Sequence, residues 1–550
     1  MRTLEQALSE HELIVLRVIG EWLGLDLTGT DRAGAVTELV PVLTQINLVQ
    51  EIDFLDPDEA AALRELVRLG GRAPVAVFAR DFGEIRMMGP GRMEREEPWL
   101  DPISPAESLW YRGYLYRGFD ETAEGTIEYF FLPQELMAQF ARSGAATQAP
   151  EPAGETLIPV APPPSIREAV TDAVDDLTTL LALAQRTGLR PEKLPDLAGL
   201  LVNPDRDRRS LILTLATEMS LLRQTNDLLR PARPAIDWLR QSREAQLRAL
   251  VDAWSRSIWN ELRHTPGLLC EGDSWQNDPL PARTALMDVL PTDDRWYRLD
   301  DIITLIKRQD PDFQRPDGNY DAWFIRDTAT NEYLNGFENW DRVERRLVRF
   351  LIQGPLFWLG MVELSAVDGP EAAYRLTARA LAWLGDEPPA EDEVSVPFIV
   401  QPEGILVVPF NASRYDRFQA ARIADPEPLT PGKPYRYRLL PSSLNEARDQ
   451  GITLERMLEF LEKGSSRPIP AGIRRGLTRW SERGVEGRLQ QVIVLRAADP
   501  AIIETLRANP KTRDFLGESL GELAVAIRGD WELFRQTTAQ LGLLLELEGF

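Results

Sequence analysis

Apolar positions recur with two periods along this chain. Leu13, Leu16, Ile19, Trp22 and Leu23 are spaced by steps close to a helical turn, so residues 1–56 are predicted helical. AALRELVRLGG reads as a helix closed by Gly70 and Gly71, and APVAVFARDFG as a second. In SPAESLWYRGYLYRG, Ser104 stands as N-cap, Pro105 opens the first turn and Glu107 follows three residues on. That is the pattern of a capping box, in which hydroxyl and carboxylate satisfy the orphan N–H groups reciprocally. TIEYFFLP, after Gly125, is β-rich.

Helices followed by strands over 57–140 give the order of a winged-helix-like domain. Residues 141–165 are rich in Pro, Ala and Gly and read as a linker. Residues 166–278 read as a helical region. Its strongest helix is SREAQLRALVDAWSRSIWNELRH, with Leu247, Leu250, Val251, Trp254 and Ile258 in one apolar stripe. Residues 279–390 read as a second winged-helix-like domain. LDDIITLIKRQ is capped by Asp300, NWDRVERRLVRFLIQGPLFWLG is another helix, and MVELSAVDGPEAAYRLTARALAWLG gives strand, turn, strand and closing helix. DEPPAEDE, 386–393, is an acidic break. Over 391–550, two short strands flank Pro402–Gly404, QQVIVLR is a third, and the rest is expected to be helical. The predicted fold class is mainly α with small β-sheets, multi-domain, with tandem winged-helix-like units and a C-terminal α/β domain.

Composition narrows the chemistry. The sequence has 550 residues and a net charge of −24, which opposes an indiscriminate nucleic-acid coat. Lysines number five against 57 arginines, so arginine richness alone is weak evidence for phosphate recognition. The amino terminus mixes acids and bases without a signal-like apolar run. No apolar stretch is long enough to span a membrane. Cys270 is the single cysteine, and together these features point to the cytoplasm. Two histidines, His11 and His264, with one cysteine cannot form a Cys/His zinc site. DPDFQRPDGNYD, 310–321, gathers four aspartates but has Arg315 where a calcium loop needs glycine. There is no GxxxxGK[ST] phosphate loop and no GxSxG elbow. Neither a cofactor nor a metal is expected.

Two resemblances refine this reading. Leu23 to Leu43 resembles a SAP-like helix–turn–helix, with a packing cap as the competing reading. Residues from about 395 onward resemble the amino-terminal domain of XPB-type DNA helicases, also found in bacterial helicase-associated proteins. The residues that carry the resemblance are Val400-Gln401-Pro402-Glu403-Gly404, Arg438-Leu439-Leu440-Pro441-Ser442-Ser443-Leu444, Ala447, Gly451, Phe460-Leu461, Pro468-Ile469-Pro470 and Trp480. FGEIRMMGPGRMERE (82–96) and GPLFWLGMVEL (354–364) look like the preceding parts of such proteins. The pattern departs at Ala380, where the LTxxG ending has Gly. The resemblance implies association with DNA repair or transcription machinery, without helicase activity, because the motor domains are absent.

The expected function is that of a non-catalytic DNA-associated accessory protein whose partners are DNA and a helicase or other repair or transcription protein. The alternatives are a protein–protein scaffold without nucleic-acid contact and an unrecognised hydrolase. The candidate DNA-binding residues are Lys463, Arg467, Arg474, Arg475, Arg479 and Arg483. They lie in a stretch, Lys463 to Arg488, of seven bases and two acids. Arg475 and Arg479 stand one helical turn apart beside Trp480, and a solvated helix face is the competing reading.

Overall fold

The computed structural model describes residues 2–122, 125–143, 157–190, 197–272, 275–385, 387–388, 390, 394–485, 487 and 491–548. The expected linker residues 144–156, several residues of the 386–393 break, and both Glu486 and Arg488 lie outside the described residues. The chain divides into a larger body, Met1–Gly451 with Leu461–Pro468, and a smaller body, Ile452–Phe460 with Ile469–Phe550. The fold is mainly α with small separate sheets, as the periodicity predicts.

One topology, an opening helix, a strand, a helix, a pre-hairpin helix and a β-hairpin, is complete in the first and third of four repeats and abbreviated in the second and fourth. In each copy the sheet order is first strand, third strand, second strand. In the first repeat Pro57–Arg68 opens, Arg72–Pro74 is the first strand and Pro105–Tyr111 precedes the hairpin Tyr116–Thr122/Gly125–Phe131. The second runs from Asp172–Arg186 through a bridge at Leu189 and the helix Arg206–Glu218 to the hairpin Leu222–Thr225/Leu228–Pro231. The third runs from Leu280–Val289 through Tyr297–Arg298, Leu299–Gln309 and Trp340–Leu351 to Val362–Ser365/Ala373–Leu376. The fourth, in the smaller body, runs from Ala471–Arg483 through Ile493–Arg496, Pro500–Ala508 and the single 3₁₀ turn Arg513–Phe515 to Leu516–Gly521/Ala524–Ile527. Between the third and fourth lies a different sheet of Ile399–Val400, Ile405–Val408, Tyr435–Arg438 and Asp425–Pro426. Gly404 turns its first hairpin at φ +79°, a conformation that favours glycine.

Several local expectations change. The capping box at Ser104 is half formed. Its hydroxyl accepts the Glu107 N–H at 3.1 Å, but the fully buried Glu107 carboxylate turns to Arg86 (2.7 Å) and the Ile103 N–H (2.9 Å). A guanidinium is the stronger partner for a buried carboxylate. Asp300 is not a cap. It lies inside the helix Leu299–Gln309 and binds Arg345 and Arg349 at 3.0 and 2.5 Å. The long helix expected over 242–264 splits into Arg243–Trp254 and Glu261–His264, leaving Ile258 81% exposed. The far end of the expected linker is pinned. Val160 donates its N–H to the Trp296 carbonyl at 2.8 Å, and Ile166–Arg167 adds an edge strand to the third repeat's sheet. The C-terminal region has more strands than the apolar runs announce. The sheet residues Tyr435–Arg438 alternate tyrosine with arginine, and Leu516–Gly521 contains two glycines. Residues 4–140 share one hydrophobic core, so the helices before Pro57 pack as part of the first repeat.

Candidate nucleic-acid interface

The helix Ala471–Arg483 begins after Pro470, whose extended backbone (φ −54°, ψ 132°) leaves the first N–H groups without a side-chain cap. It ends at Gly484, with φ +71°. Leu477 and Trp480 are buried. At about 100° per residue, Arg475 and Arg479 lie opposite the buried pair, with Arg483 toward the Trp480 flank and Arg474 toward the Leu477 flank. All four arginines are exposed, and Glu482 shares their side of the helix. The Thr478 hydroxyl donates to the Arg474 carbonyl at 3.0 Å.

Lys463 and Arg467 do not share this element. Both are exposed but belong to the larger body, Lys463 near the end of the helix Leu454–Gly464 and Arg467 in the turn held by Ser465. Thus one helix gathers four of the six predicted residues, all within the smaller body.

Charge is divided unevenly between the two bodies. By sequence, the smaller body holds 12 bases and 13 acids, whereas the larger holds 50 bases and 73 acids. The charge of −24 is therefore almost wholly the larger body's, and the basic helix sits in a near-neutral setting.

Other sequence candidates resolve into structure. Of the tryptophans between 254 and 383, Trp254, Trp259, Trp296, Trp340 and Trp383 are buried, and Trp275, Trp323 and Trp358 are half-buried. Trp275 and Trp323 stack on each other at 5.2 Å. The aspartate-rich loop is a packing hub. Asp312 pairs with Arg80 at 2.7 Å and accepts from the Tyr320 hydroxyl at 3.0 Å, while buried Arg315 faces buried Glu344 at 3.0 Å. Among the described residues, no three His, Cys, Asp or Glu side chains cluster as a metal requires. Burial pushes the Cys270 thiol up to about 11, leaving it a poor nucleophile.

The helix Trp340–Leu351 was not singled out by sequence reasoning, although WDRVERRLVRFL is plainly basic. Its arginines are neutralised within the molecule: Arg342 and Arg346 on Asp327 at 3.3 and 3.1 Å, Arg345 and Arg349 on Asp300. Asp327 is held down to about 2, first by the Ala329 N–H and also by these arginines.

Residues 398–521 match the model of the helicase conserved C-terminal domain. The matched segment contains the helix Ala471–Arg483 and most of the fourth repeat, and it starts at the expected strand pair around Pro402. No curated protein matches the chain.

Proposed function

We propose that this protein is a non-catalytic, DNA-associated accessory factor of repair or transcription machinery, related to the helicase-associated domain of XPB-type helicases but without their motor. The observation that carries the proposal is the coincidence of the helicase-type segment with a helix that carries four exposed arginines, two of them, Arg475 and Arg479, opposite its buried Leu477 and Trp480. The four repeats have the strand and helix order of winged-helix domains, a frequent scaffold in nucleic-acid-binding proteins. A missing GxxxxGK[ST] loop supports a role without nucleotide hydrolysis.

A scaffold function is the second reading. The larger body's excess of acids and the internal pairing of the arginines on Trp340–Leu351 favour it.

A DNA titration at several salt concentrations tests the first reading. Substituting R474E, R475E and R479E together is expected to remove most affinity and to lower the salt slope by about one unit per lost phosphate contact. Circular dichroism is expected to be unchanged, since exposed substitutions cost about 0.5 kcal/mol or less each. An unchanged slope in a folded variant would remove this helix from the interface. Absence of salt-dependent binding by the unsubstituted protein would leave the scaffold reading.

A further inference from the structure

The four repeats differ in the fate of the pre-hairpin helix, the element that a helix–turn–helix protein places in a groove. In the first repeat, five of the seven residues of Pro105–Tyr111 are buried. The helix Leu13–Trp22 packs on it, and the Arg112 guanidinium just beyond it lies 4.6 Å from the Trp22 ring. In the second, Arg206–Glu218 packs against Arg243–Trp254 and sends Arg208, 1% exposed, inward to Asp172 (2.8 Å) and Asp176. In the third, Trp340–Leu351 buries Trp340, Val343 and Leu347 and spends its arginines on Asp327 and Asp300.

The fourth repeat is different. Its pre-hairpin element is the 3₁₀ turn Arg513–Phe515, none of whose residues is buried. Around it stand Arg507, Lys511, Arg513 and Arg528, all exposed. Arg513 lies 3.4 Å from Asp514. Arg507, Lys511 and Arg528 have no ion-pair partner among the described residues. The backbone that carries them is fixed. Thr512, fully buried, donates its hydroxyl to the Leu506 carbonyl at 2.7 Å. Asn509 accepts the Lys511 N–H at 2.9 Å through its side chain and the Arg513 N–H at 3.0 Å through its carbonyl. The Arg528 N–H donates to the Phe515 carbonyl at 2.8 Å, which brings the end of the hairpin against the turn. Lys511 and Arg513 lie on this turn, Arg507 in the last turn of the helix before it, and Arg528 at the hairpin end bonded to it, up to 21 residues apart in sequence.

We infer that the turn at 509–515, with Arg507 and Arg528, is a phosphate-contacting site for nucleic acid, and that it is the one pre-hairpin element among the four repeats left open for such a partner. The inference rests on the proposed DNA association and adds to it a second basic surface on the smaller body. Phosphate would replace Asp514 at Arg513 and engage the three cations that lack ion-pair partners. Contacts of this kind position the duplex without reading its sequence.

The test uses the full chain with fluorescein-labelled duplex and single-stranded DNA of random sequence, titrated by anisotropy at several salt concentrations. The K511E/R513E/R528E variant is expected to bind at least about tenfold more weakly, with a salt slope smaller by roughly two to three units. K511Q/R513Q/R528Q, which adds no repulsion, is expected to lower the slope similarly and serves as the reading if the glutamate variant fails to fold. Salt-dependent binding that is unchanged in a folded variant would overturn the site while leaving the DNA association standing. No salt-dependent binding by the unsubstituted chain would overturn the DNA association and this site with it.

Discussion

Arg283 shows how a single buried side chain can decide local structure. All five of its N–H groups are used. Nε and Nη2 bind the buried Glu261 carboxylate at 2.8 and 2.9 Å, and Nη1 and Nη2 reach the carbonyls of Trp254, Ser257 and Trp259 at 2.5, 2.7 and 2.6 Å. Ser257 and Trp259 lie just beyond the helix end at Trp254, whose own carbonyl also accepts the Ser257 N–H at 3.1 Å. Removing one partner of a buried pair strands the other, so R283A is expected to cost about 3–5 kcal/mol in chemical denaturation. His11 gives a different signature. Burial, reinforced by the nearby Arg32 charge, pushes its imidazole down to about 3. An unfolded histidine titrates near 6.5, so below that pH the unfolded chain takes up a proton that the folded chain refuses. This residue's stabilising effect is complete above about pH 6.5 and falls by about 2 kcal/mol on going down to pH 5. H11L is expected to lose that part of the pH dependence, measured as the difference between parallel denaturation curves at pH 7 and pH 5.

Among the elements, the broken helix at 254–261 is the clearest place where periodicity and packing part. Ile258 continues the apolar stripe of Leu247, Leu250 and Trp254, yet it is exposed, while Trp254 is 2% exposed with its indole N–H on Glu261 at 2.7 Å. W254A is expected to cost about 3–5 kcal/mol, and I258S to stay within about 0.5 kcal/mol, by thermal or chemical unfolding. A costly I258S would argue for the unbroken helix. The elements bounded by strong local signals were legible. Gly70 and Gly71 close Pro57–Arg68 at φ +79° and +80°, and the strand pair around Pro402–Gly404 is where the residues put it. The second repeat was not legible. Its first strand is a single bridge at Leu189 and its hairpin strands have four residues each, too short to give a period.

On the scale of the whole molecule, the distribution of large apolar side chains along the sequence gives an expectation for protease attack. Residues 145–156 contain no large apolar side chain that would anchor them. By contrast, Val160 is bonded to Trp296 and the Ser165 carbonyl accepts the Ala366 N–H at 2.9 Å. Limited proteolysis is therefore expected to cut first between Ala145 and Leu157 and to spare Val160–Ser165, as read by mass spectrometry of the early fragments. First cuts within 57–140 would contradict the single core of residues 4–140. The uneven charge belongs to this scale as well. The overall −24 conceals a near-neutral smaller body that carries both arginine surfaces.

Sequence alone determined the mainly helical class, the strand pairs at 362–376 and around Pro402–Gly404, the lack of a GxxxxGK[ST] motif and the run of basic residues in 474–483. These follow from local propensity and from side-chain spacing on a single element. Only the tertiary structure decided which basic residues are spoken for. WDRVERRLVRFL is basic as a sequence. It lies beside Asp300 and Asp327, contributed by other elements, and its arginines are neutralised there. Likewise Arg528 joins Arg507 and Lys511 only because the hairpin folds back on the turn at Phe515. Ion pairing and clustering act over a few ångströms of space, and that separation is fixed by how the elements pack rather than by their distance along the chain.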